Sequence, residues 1–228
     1  MSKRMIESEK LIDKTKLYSL EEAVKILKQT KRTKFDETVE ISIRLGIDPK
    51  QTDQTVRGAV SLPHGIGKTK RVVVIAKGEK IKEAESAGAD FFGSEDIMEK
   101  ISKGWLDFDA IIATPDAMKD LAKLGKILGP RGLMPNPKTG TVTFDIAKTV
   151  KEIKAGRVEF KNDTQGIVHT ILGKISFDEN KLIENAKTVI TAIASLKPSS
   201  SKGQYIKTIA ISSTMGPGIR INTSVAQS

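Results

Sequence analysis

His64 and His169 are the only imidazoles in the chain, and cysteine is absent. Thiolate nucleophiles, disulfides and sulfur-ligated zinc are thereby excluded, a composition compatible with a reducing cytosol. Neither histidine sits in a paired-carboxylate or nucleophile–base spacing, and Asp107-Phe108-Asp109 reads as the border of a strand rather than a ligand set. Nothing here suggests catalysis, a metal or a cofactor.

The string Gly65-Ile66-Gly67-Lys68-Thr69 approaches the phosphate-loop pattern G-x-x-x-x-G-K-[ST]. Its first glycine would fall at position 62, which is Leu62, and the preceding strand Val56–Leu62 groups with the chain's ends rather than with a βαβ unit. A flexible linker is the better reading. A dinucleotide fingerprint is missing too, since only Lys77-Gly78-Glu79 stands between the first strand and first helix of the middle segment. Further on, Gly125, Gly129, Gly132 and Gly140 are interleaved with Pro130, Pro135, Pro137, Lys126, Arg131 and Lys138, which reads as a long basic loop. It could touch an RNA backbone or be ordinary turn punctuation.

Two other stretches could bind without catalysing. Lys28-Gln29-Thr30-Lys31-Arg32-Thr33-Lys34-Phe35 sets four cations beside an aromatic ring, a combination able to hold phosphate and stack on a base or ribose. The bland alternative is that the cations complement a helix C-terminus and Phe35 is core. Near the other end, Ile209 and Ile211 share one strand parity, leaving Thr208, Ala210, Ser212 and Thr214 on the other. That strand runs into Thr214-Met215-Gly216-Pro217-Gly218, where glycines permit a close backbone approach. Small hydroxyls and bare backbone suit 2′-OH groups, although a solvated sheet face would look the same.

Charge favours a polyanionic partner. The 228 residues carry 38 Lys+Arg against 28 Asp+Glu, a net +10, with the surplus spread along the chain rather than gathered in a tail. A binding patch must then be assembled by folding. A basic soluble enzyme or a nonspecific nucleic-acid binder would share this composition. The N-terminus lacks an apolar signal core and no stretch of about 18 apolar residues occurs, so a soluble, unexported protein with no membrane partner is expected.

The elements that must position these residues fall into two styles. Ser19 and Glu22 form a capping box ahead of Leu20, Ala23, Val24 and Leu27, predicting a helix over 19–30. Val39, Ile41, Ile43, Leu45 and Ile47 alternate with polar residues, predicting a half-buried strand. From Arg71 the pattern becomes apolar runs, Val72–Ala76 and Ala110–Ala113, separated by helical segments over 79–87, 94–102, from Pro115, and over 145–154. Such alternation implies a parallel sheet covered on both faces. After Gly156 the chain returns to alternating strands and a helix over 178–196. The expected fold is α/β: an α+β domain from residues 1–67 and 159–228, with a three-layer, Rossmann-like α/β domain, 68–158, inserted through hinges near 63–70 and 155–159.

Five stretches, in order, resemble one family: Lys34-Phe35-Asp36-Glu37-Thr38-Val39-Glu40, Leu62-Pro63-His64-Gly65, the run from Gly129 to Lys138, Gly156-Arg157-Val158-Glu159-Phe160, and Thr214-Met215-Gly216-Pro217. In them the chain resembles the bacterial ribosomal L-one family. The resemblance implies two α/β-type domains, the second inserted in the first, with the primary RNA site on the terminal domain. Carried over by position, it implies RNA contacts from Phe35, Thr38, Thr208, Thr214, Met215 and Gly216, with Lys34, Lys161, His169 and Arg220 as neighbours. It also implies large-subunit rRNA of the mobile stalk as partner, help in releasing deacylated tRNA from the exit site, and repression of the protein's own operon mRNA. A cytoplasmic, ribosome-bound protein, monomeric when free, is expected. The alternative is a nucleotide-dependent enzyme using the middle domain.

Overall fold

A computed structural model describes residues 3–31 and 33–226. In chain order the elements are α1 (Lys3–Glu9), α2 (Leu20–Gln29), β1 (Thr38–Leu45), β2 (Arg57–Ser61), β3 (Val72–Ile75), α3 (Lys80–Ser86), β4 (Phe91–Gly93), α4 (Glu95–Ser102), β5 (Ala110–Ala113), α5 (Met118–Leu121), α6 (Gly125–Leu128), α7 (Ile146–Ala155), β6 (Arg157–Lys161), β7 (Ile167–Lys174), α8 (Glu179–Ser195), β8 (Ile206–Ser213) and β9 (Ile219–Ile221). The helices and strands give the expected α/β class. The chain divides into two compact units, one made of residues up to Gly67 and from Val158 onward, the other Lys68–Arg157.

In the first unit, α2 begins with the capping box read from sequence: the Ser19 hydroxyl accepts from the Glu22 amide and the Glu22 carboxylate accepts from the Ser19 amide, both at 3.2 Å. The helix buries Leu20, Ala23, Val24 and Leu27. A four-stranded antiparallel sheet runs β7-β1-β8-β9. Because side chains alternate along a strand, Val39, Ile41, Ile43 and Leu45 all enter one core with Val168, Leu172, Ile209 and Ile211, while Thr38, Glu40, Ser42 and Arg44 point the other way. Helix α8 covers the apolar side with Leu182, Ala186, Val189, Ile190 and Ile193. Each fully buried aliphatic side chain contributes roughly 1.5–3 kcal/mol.

Among these apolar residues α8 buries one amide, Asn185. Its Nδ2 donates to the carbonyls of Leu172 (2.7 Å) and Gly65 (3.1 Å), and its Oδ1 accepts from the His64 amide (3.2 Å). Gly65 and Gly67 take positive φ of 65° and 73°, and Ile66 between them is buried. The stretch read as a flexible linker is thus seated on the first unit as far as Gly67.

The second unit holds a parallel sheet ordered β4-β3-β5. Every residue of β3 is buried, as its continuous apolar run predicts. Val73 and Ile75 pack with Ile97, Ile101, Phe108 and Leu121 on one side; Val72 and Val74 pack with Ala84, Ile146, Val150 and Ile153 on the other, giving three layers. Two carboxylates border the sheet: Asp109 accepts from the Arg71 amide (3.0 Å) and Asp90 from the Val72 amide (2.9 Å). The Arg71 amide holds the Asp109 carboxyl below the usual carboxylate range, with burial opposing and Lys68 assisting.

Two expectations need correction. The helix foreseen from Pro115 is broken into α5, a 3-10 turn over Ala122–Leu124, and α6. The Gly/Pro stretch is likewise no continuous loop: α6 occupies Gly125–Leu128 because Leu124 and Leu128 reach the core, and a 3-10 turn over Pro137–Thr139 is capped by the Asn136 side chain.

Asn185→Ala would strand the Gly65 and Leu172 carbonyls and the His64 amide. It is expected to destabilise the protein by about 2–4 kcal/mol in urea unfolding, against about 0.5 kcal/mol or less for an ordinary surface residue.

Candidate nucleic-acid interface

The sheet face not covered by helices is defined by register. Lys174 stands beside Thr38; Ile171, Glu40 and Ser212 form the next row; His169, Ser42, Ala210 and Arg220 the next; and Ile167, Arg44 and Thr208 the last. It is a surface of small hydroxyls with cations on both flanks and one carboxylate, Glu40. His169 Nδ1 lies 3.0 Å from the Ser42 hydroxyl, and Nε2 lies 3.7 Å from Asp163. The Ile167 amide (2.8 Å) holds the Asp163 carboxyl below its ordinary range, burial opposing and the Gln165 amide assisting.

At one edge of this face the two ends of the chain are clamped together. The Thr214 hydroxyl accepts from the Thr38 amide at 3.0 Å and donates to the Thr38 carbonyl at 3.3 Å, and that carbonyl also accepts from the Thr214 amide at 3.0 Å. The Thr38 hydroxyl in turn accepts from Lys174 Nζ at 2.9 Å. Below the clamp Glu37 is buried, its carboxylate accepting from the Thr33 hydroxyl and from the Met215 amide. The turn is tight: a Cβ on Gly216 would lie 2.4 Å from the Ser213 hydroxyl, which would have to swing aside.

Beside this frame two large apolar side chains stand half-exposed to water. Phe35 is 52% exposed and Met215 51% exposed, one from each side of the clamp. The reading of Phe35 as a core residue is therefore excluded. A surface that presents a ring and a thioether to solvent, next to hydroxyls and cations, can stack on unpaired bases and bond to sugar and phosphate.

Of the residues read from sequence, Thr38, Thr208, His169 and Arg220 fall on the open face, and Lys34, Phe35, Thr214, Met215 and Gly216 at or beside the clamp. Lys161 does not join them. It ends β6, which pairs with β2 in a separate two-stranded sheet. Sequence reasoning missed Glu37 and Lys174. Glu37 gives no periodic signal, and Lys174 reaches the face only because a bulge opposite Val39 and Glu40, with Gly173 at φ 153°, shifts the parity of β7. Arg44 and Ser42 were visible in the alternation of β1. Among the described residues no group of three or more His, Cys, Asp and Glu could hold a metal ion, and Lys68 of the phosphate-loop-like string is paired with Asp109 at 2.9 Å. Among those residues, too, no helix is long and apolar enough to cross a membrane.

Residues 27–217 match the model of the Ribosomal protein L1p/L10e family, a span that includes both sides of the clamp. The chain belongs to that family. It is 57% identical over 222 residues to "Large ribosomal subunit protein uL1" of Macrococcus caseolyticus, an alignment covering 97% of this chain and 96% of that protein. Within this L1p/L10e chain, α1 and Arg220 lie outside the matched span.

Thr214→Val removes the hydroxyl and leaves the Thr38 amide short of an acceptor. The variant is expected to lose about 1 kcal/mol in urea unfolding and to exchange the Thr38 amide proton faster, with the fold retained. Unchanged exchange at Thr38 would mean that the clamp is not closed in solution.

Proposed function

We propose that this protein is a structural constituent of the large ribosomal subunit, cytoplasmic and ribosome-bound, that binds large-subunit rRNA through the open sheet face and the Thr38–Thr214 clamp. Family membership and the printed name of the relative support the ribosomal role. The observation that carries the RNA reading is the pair of exposed side chains, Phe35 and Met215, beside a cationic face rich in hydroxyls. A-form RNA displays 2′-hydroxyls in a wide, shallow minor groove and is recognised by proteins mainly through its shape, which suits a flat face of small side chains better than a deep pocket. The net charge of +10 supplies sequence-independent attraction that weakens with salt. The face needs no catalytic step, so the protein acts by binding alone.

The finer assignment follows from the resemblance. The rRNA site is on the mobile stalk, the protein assists release of deacylated tRNA from the exit site, and it represses translation of its own operon mRNA. One surface can serve both rRNA and message if the message imitates the ribosomal site, and the tighter ribosomal site then fills first. The free protein acts as a monomer.

Phe35→Ala and Met215→Ala are each expected to weaken binding of the stalk rRNA fragment by about 1–3 kcal/mol in gel shift, and binding of the operon leader in parallel. Both are exposed, so thermal unfolding should be unchanged. If neither variant changes affinity for either RNA, this face is not the binding surface.

A further inference from the structure

Beside the turn from β8 to β9 lies a cavity of about 220 Å³ that the face described above does not use. Its lining comes from both ends of the chain: Met5, Glu9 and Ile12 from the N-terminal segment, and Pro217, Gly218 and Arg220 from the turn and β9. We infer that this cavity receives one unstacked nucleobase of the bound RNA, a base that carries an exocyclic amino group. The inference rests on the rRNA-binding reading and adds to it a base-specific contact.

Continuity with the face comes first. Arg220 lines the cavity and also stands in the same row as Ala210, Ser42 and His169, and Pro217 follows directly on Met215 and Gly216. Size comes next, since the volume is below the ~300–1,000 Å³ typical of drug-sized ligand sites and suits a single planar ring system. The chemistry of the walls decides the class. Ile12 and Pro217 are buried and offer apolar surface, and the guanidinium of Arg220 can stack on a base or meet the adjoining phosphate. Lys14, paired with Glu9 at 3.2 Å, supplies a second cation at the same lining. Glu9 presents a carboxylate, which only accepts hydrogen bonds, and Asp13 adds its Oδ2, its Oδ1 already accepting from the Thr15 amide (2.9 Å) and hydroxyl (2.6 Å). They therefore favour the amino edge of guanine, adenine or cytosine over the two carbonyls of uracil. Gly218 is exposed, and a Cβ built there meets nothing within 4 Å, so the space is open at its own wall.

That last observation provides the test. With the full chain and the stalk rRNA fragment, bases at unpaired positions are removed one at a time and binding is read by gel shift. One position is expected to lose about tenfold in affinity, and uridine placed there to lose a similar factor. Gly218→Leu, which adds bulk at the cavity's lining where a Cβ meets no other atom within 4 Å, should weaken the intact RNA by the same factor and bind the abasic RNA no more weakly than that. Glu9→Gln, which can donate as well as accept, should reduce the penalty against uridine. Thermal unfolding of both variants checks that the fold is kept, and if Gly218→Leu unfolds, Glu9→Gln alone decides. Wild-type protein that prefers the stalk RNA but shows no abasic position coupled to either variant would overturn the cavity assignment alone. Failure to distinguish the stalk RNA from unrelated RNA would instead overturn the rRNA reading, and this inference with it.

Discussion

The pairing of β1 with β8 is the constraint on which the candidate site depends. Thr38 and Thr214 are 176 residues apart in sequence, yet hydroxyl, amide and carbonyl groups of the two close a small ring of hydrogen bonds. Bringing such distant strands together costs closure entropy before any contact rewards it, and the antiparallel register of Val39–Leu45 against Ile206–Ser213 repays it by burying Ile41, Ile43, Ile209 and Ile211. The same register decides what faces water. A slip of one residue would bury Thr38, Ser42 and Arg44 and expose the isoleucines, so stability and the composition of the face are set together. Gly216 lets the strand turn closely against Ser213, whose hydroxyl a Cβ there would displace.

Charge plays a different part from geometry. In the second unit Lys68, Arg71, Lys77 and Lys154 each lie 2.6–3.0 Å from an aspartate, so much of that unit's positive charge is locally balanced. These pairs are partly or largely exposed and add little to stability. They leave the flat face of the first unit, with Arg44, Lys174 and Arg220 around His169 and small hydroxyls, as a surface where cations and readable polar groups coincide.

Much of this was legible in the sequence because it is periodic. The alternation of β1 and β8, the uninterrupted apolar β3 and the Ser19–Glu22 box each have one local physical cause, and each is present in the fold. What was not legible depends on tertiary context. Three residues, Ile219–Ile221, are too few for a pattern, and β9 exists because β8 offers an edge. The Gly125–Leu128 turn is helical despite its glycine because Leu128 is drawn into the core. Glu37 looks like any surface acid in sequence, and only the fold buries it beneath Met215. For the candidate site, residue types near Phe35 and Met215 suggested binding but equally suggested core and turn; exposure removed that ambiguity for Phe35, and register took Lys161 off the sheet.

The central claim is that one RNA-binding surface is built from the two ends of the chain. Hydrogen–deuterium exchange with and without the stalk rRNA fragment tests it most directly. The account predicts protection, on adding RNA, in peptides covering both 33–44 and 206–220, with α8 unchanged. Protection confined to 68–157, or to only one of the two terminal segments, would contradict it.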